Sequence, residues 1–137
     1  MSSIYVAASE ALAEWGSDVG LTRNVFKVGV TDEDPTELVD RLNAESHCGQ
    51  SDWKLLTERD SGTIDEEAAI GRLRRKETLI DPLYYPRLKG AGGIFKIKLA
   101  NVENHLLVKR TLAGQEAKPG KAKAPDIAAY LIENALG

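Results

Sequence analysis

Two kinds of apolar periodicity alternate along this chain, one repeating every second residue and one every three to four. Residues 3–8 (SIYVAA) and 25–31 (VFKVGVT) are short β-favouring runs and predict two strands near the start of the chain. In the second run Phe26, Val28 and Val30 alternate with Lys27 and Gly29. Both runs set an aromatic or Lys side chain beside small residues, where a plain core strand would carry another Val or Ile. Between them SEALAEWG reads as a short helix, with Ser9 as N-cap, Ala11, Leu12 and Trp15 as its apolar set and Gly16 as a stop. Residues 53–59 (WKLLTER) predict a third strand, near a sheet edge because its end is polar, and 93–99 (GIFKIKL) a last one.

The clearest helix is predicted at 35–46, with Asp34 as cap, Pro35 in first position, Glu37 at the capping-box position, and Leu38, Val39 and Leu42 on one face. A second is predicted at 64–77, with Ile64, Ala68 and Leu73 near its inward face and Ile70 close by. Residues 101–112 predict a third helix, and 125–136 an amphipathic C-terminal one carrying Ile127, Tyr130, Leu131 and Leu136. Pro and Gly punctuate 81–93 as a loop, and 114–124 reads as a flexible basic linker. The expectation is an α/β chain of α+β type: a small, mainly antiparallel central sheet flanked by helices, with an extra C-terminal helix. Its divisions are a domain at 1–113, the linker at 114–124 and the helix at 125–137.

At 137 residues the chain is long enough for one core. Its net charge of −3, from 18 basic and 21 acidic residues, argues mildly against a dedicated duplex binder. A local basic face is still compatible with that sum, and Arg72, Arg74, Arg75 and Lys76 (RLRRK) supply a candidate nucleic-acid contact. In the same helix Asp65, Glu66 and Glu67 precede those cations, an order that the helix dipole alone would favour. Cys48 is the sole cysteine, so no internal disulfide forms and a cytoplasmic protein is expected, with Cys48 as a surface-loop thiol. One Cys and two His are too few for a closed structural zinc site. No apolar run approaches membrane-spanning length and the start is not that of a secreted chain, so neither a membrane nor an exported protein is expected.

The order of elements and five short motifs resemble the GIY-YIG nuclease family, closest to its diverged phage and bacterial branch. SIY at Ser3–Tyr5 resembles the first motif and KVGVT at Lys27–Thr31 the second. DPTELVDRLN resembles the branch's P-x-x-R-L-x-x-L-N segment, EEAAIGRL its glutamate helix, and GGIFKI its late strand. The resemblance covers residues 3–99 and implies a metal-dependent endonuclease hydrolysing DNA phosphodiester bonds. It implies Tyr5 as the residue that helps deprotonate a water, Arg41 as phosphate clamp, Glu67 as ligand to one Mg²⁺ or Mn²⁺ ion, and Lys27 as a point charge at the second-motif tyrosine. Those roles have physical reasons: a carboxylate suits a hard cation, a bound ion acidifies water, and a guanidinium forks onto phosphate oxygens.

This sequence departs from the family at several motif positions. Ser3 stands for the first glycine, Lys27 for the second tyrosine, Gly71 for the histidine of the glutamate helix and Gly93 for the late glutamate. The family's arginine aligns near Leu38, one turn before Arg41, and Glu66 competes with Glu67. A second reading is therefore a catalytically inactive module on the same scaffold that binds nucleic acid or protein. A third is an adaptor or inhibitor unrelated to nucleases, docking through its C-terminal helix, which is also the candidate homodimer contact.

Overall fold

The computed structural model describes residues 2–21, 24–80, 92–114 and 123–136. Among the described residues the elements are β1 (Ser3–Ser9), α1 (Glu10–Asp18), β2 (Val25–Thr31), α2 (Pro35–Ala44), a 3₁₀ turn (His47–Gly49), β3 (Trp53–Asp60), α3 (Glu66–Leu73), β4 (Thr78–Leu79), β5 (Ile94–Lys96), α4 (Leu99–Leu112) and α5 (Ala124–Leu136); the nine predicted ones keep their order, and the 3₁₀ turn and β4 are additions. The strands form one antiparallel sheet in the order β3-β1-β2-β5-β4, so the fold is mixed α+β with a C-terminal helix. β3 is an edge strand, as its polar end predicts. The predicted loop at 81–93 and linker at 114–124 fall largely outside the described residues.

Strand pleating divides the core. Ile4, Val6, Phe26, Val28 and Phe95 point to one face, where they meet Ala69 and Leu73 of α3, Val102 of α4, and Ile127, Leu131 and Ile132 of α5. Tyr5, Ala7, Val25 and Ile94 point to the other, covered by Leu12 of α1, by Leu38, Val39 and Leu42 of α2, and by Cys48 and Trp53. Because Tyr5 pairs with Gly29 and Ala7 with Lys27, all four share this second face. α5 is built into the core through Ile127, Ala128, Tyr130, Leu131, Ile132 and Ala135, all buried. The apolar stripe read from the sequence as a dimer or partner contact is thus spent on the chain's own sheet.

The helices start where their caps dictate. The Ser9 side chain accepts from the Leu12 amide, and Asp52 holds both the Ser9 hydroxyl and, at 2.9 Å, the Ala11 amide. Asp34 accepts from the Thr36 amide at 2.9 Å with Pro35 opening α2. Asp65 accepts from the Ala68 amide at 2.8 Å, so α3 begins at Glu66 and ends at Leu73, shorter than the predicted 64–77. Its inward face is accordingly Ala69, Ile70 and Leu73; Ala68, expected inside, is exposed. β5 spans only 94–96, and Leu99 already opens α4.

Candidate active site

β5 is shorter than the strand it pairs with, and the site lies at the resulting notch. Pairing with β2 covers only residues 25–27. Beyond it the Val28 amide donates to the Gly93 carbonyl at 2.8 Å, and among the described residues no strand lies opposite the Val30 amide. Glu66 fills that place: its Oε1 accepts from the Val30 amide at 3.2 Å. A carboxylate from the first turn of α3 thus substitutes for a missing strand carbonyl and reaches around the sheet edge. Gly93 shows why no side chain from the late strand joins it. Its φ is +74°, and a Cβ there would overlap the Val28 carbonyl oxygen.

On the second face, Gly29 leaves a hollow that two functional groups occupy. A Cβ at Gly29 would lie 2.6 Å from the Tyr5 hydroxyl oxygen and 2.8 Å from Glu66 Oε1, so both oxygens converge on one point above the glycine. Arg41, on α2, is close enough to act electrostatically on the Tyr5 hydroxyl, as is Glu33, whose carboxylate pairs with the Arg41 guanidinium at 2.7 Å. Tyr5 is only 3% exposed, and burial together with the Glu66 carboxylate pushes its phenol far above the ordinary range, against a smaller lowering by Arg41. Tyr5 therefore stays protonated at neutral pH, a hydrogen-bond donor rather than a free base.

The sequence-derived residues separate into three groups. Arg41 lies within electrostatic reach of Tyr5. Glu67 does not join them: both glutamates are exposed, but Glu66 is the one whose carboxylate reaches the Val30 amide. Asp65 as N-cap marks the first helical residue, but which of Glu66 and Glu67 faces the sheet is decided by Leu73 packing against it. Lys27 shares the face but is buried, its ammonium donating to the Gly92 carbonyl at 2.9 Å, and burial lowers its pKa despite Cys48 and Glu66 nearby. Arg72 donates to the Leu136 carbonyl at 2.7 Å and the Ala135 carbonyl at 3.3 Å, closing the C-terminal end of α5. Arg74, Arg75 and Lys76 are exposed just past α3.

Sequence reasoning missed Glu33 and the His47–Cys48 turn. Cys48, expected on the surface, is buried at a left-handed φ of +57° near Lys27, and burial raises its thiol pKa. His47 stacks obliquely on Trp53 with ring centroids 5.7 Å apart, and burial plus the Lys27 charge push its pKa down to about 4.

Among the described residues no three His, Cys, Asp or Glu side chains are grouped to hold an ion by protein ligands alone. The donor set suits a hard divalent cation that keeps most of its waters: Glu66 Oε1 is tied to Val30, and among the described residues its second oxygen has no partner. Among the described residues no helix is long and apolar enough to cross a membrane. No protein-family model, no curated protein and no solved structure matches the chain.

Proposed function

We propose that the chain is a metal-dependent phosphodiesterase acting on DNA, with Glu66 as the metal ligand in place of Glu67. The observation that carries this reading is the convergence of the Tyr5 hydroxyl and the Glu66 carboxylate in the space that a Cβ at position 29 would fill. The Val30 amide accounts for the placement of the Glu66 carboxylate, but not for a buried phenol beside it with an arginine in electrostatic reach. A divalent ion at Glu66 would orient and acidify a bound water and neutralise charge developing on the phosphate. Arg41 swings from Glu33 onto a phosphate oxygen, an exchange of one exposed ion pair for another that costs little. Tyr5, held protonated, donates to a phosphate or water oxygen and fixes its position.

A second reading has its own observation. Tyr5 is almost fully buried and Arg41 is already paired, which also suits a scaffold that binds nucleic acid without cutting it. One assay separates the two: single- and double-stranded DNA incubated with the protein in Mg²⁺, Mn²⁺ or EDTA. The cleavage reading expects metal-dependent nicking that falls by about a hundredfold in Glu66→Gln and in Gly29→Ala, and by about tenfold or more in Tyr5→Phe. Metal-independent cleavage, or activity that survives Glu66→Gln, contradicts the proposed site. DNA binding without any cleavage selects the second reading.

A further inference from the structure

A second polar cleft lies on the opposite side of the sheet, between α4, α5 and the turn that follows α3, with a volume of about 440 Å³. Arg75 and Lys76 line it and, among the described residues, neither is in an ion pair. The acids nearest to them are committed elsewhere. Glu77, 6% exposed, accepts from the Tyr130 hydroxyl at 2.6 Å, from the Asn101 amide group at 2.9 Å and from the Lys98 backbone at 2.8 Å. Glu133 is held by His105 at 2.7 Å and by Lys109 at 2.5 Å. The floor of the cleft is thus fixed from behind: Tyr130 and Asn101 by one carboxylate, His105 by another, with His105 and Tyr130 edge to face at 5.3 Å.

The amides have a common sense. Asn101 spends its NH₂ on Glu77 and Asn134 spends its own on the Tyr130 carbonyl at 2.8 Å, so both leave a carbonyl oxygen as acceptor. Val108, 57% exposed beside His105, offers an apolar wall. Cations, an apolar wall and two amide acceptors lining one cleft, with Asn101 next to Lys76, suit a phosphate joined to a planar ring that bears an amino group. We propose that this cleft binds a nucleoside phosphate with an exocyclic amine on its base, either free or as one unit of a single strand. The cations take the phosphate, Val108 and His105 take the face of the base, and Asn101 and Asn134 accept from its amine. Its size fits one nucleotide. This site is separate from the notch at Glu66 and does not depend on cleavage there.

Amide chemical-shift titration with CMP, UMP, inorganic phosphate and a short oligo-dC tests it. CMP is expected to shift Asn101, Asn104, His105 and Asn134, and to bind about tenfold tighter than UMP, whose ring carries an oxygen where CMP has the amine. Arg75→Ala with Lys76→Ala should weaken CMP by about tenfold, while Lys54→Ala, an exposed cation on the β3 edge, leaves it unchanged. Oligo-dC binding tighter than CMP assigns a strand as the source, and equal binding assigns the free nucleotide; either keeps the proposal. Equal affinity for CMP, UMP and phosphate, or shifts confined to residues outside the cleft, overturns it. The readout is binding alone, so loss of the cleavage reading would leave this result intact.

Discussion

Position 29 has to be glycine because two other side chains fill the space a Cβ would need, and those two are the phenol and carboxylate of the proposed site. The residues around Lys27 have a different logic. Its buried ammonium is satisfied by Gly92, and it faces Cys48 and Glu66 while pressing on His47. A histidine depressed to about 4 takes up its proton later on acidification than it does in the unfolded chain, where its pKa is about 6.5. The unfolded state therefore gains protons first, and stability falls as pH drops from about 6.5 toward 4. His47 is partly solvated, so screening reduces the effect to about 1 kcal/mol. Urea unfolding at pH 7 and pH 4.5 should show His47→Gln losing about 1 kcal/mol less than the parent on acidification. Equal losses would mean that His47 does not carry this penalty.

At the scale of elements, most of the fold was legible. Ser9, Asp34 and Pro35 announce the starts of α1 and α2 through cap chemistry that acts within a few residues. The sheet strands follow from alternation in SIYVAA and VFKVGVT. What was not legible depended on contacts distant in sequence. The inward phase of α3 is set by Leu73 meeting the sheet and α5, and a shift of one residue moved the expected ligand from Glu66 to Glu67. The late start of β5, at Ile94, is set by the close approach of Gly93 to Val28, which no local pattern reveals. α5 reads from sequence as an appendage because a linker precedes it, yet Leu131 is fully buried against the sheet. Leu131→Ala should cost about 2–5 kcal/mol in global unfolding. A loss under about 1 kcal/mol, with only α5 amides exchanging faster, would mean that the helix docks loosely onto a core complete without it.

For the whole molecule, one sheet carries two separate polar constellations, one at the notch where β5 stops short and one in the cleft between α4 and α5. A net charge of −3 leaves both dependent on local cations rather than on the field of the entire protein. Arg41 serves the first, and Arg75 with Lys76 the second. The central claim is that Glu66 is the ligand for a divalent ion beside Tyr5. It is tested most directly by adding substoichiometric Mn²⁺ to isotope-labelled protein and mapping which amides broaden. Glu66 as ligand predicts broadening at Gly29, Val30 and Glu66 that disappears in Glu66→Gln and persists in Glu67→Gln. Broadening centred elsewhere, or lost in Glu67→Gln and retained in Glu66→Gln, would contradict it.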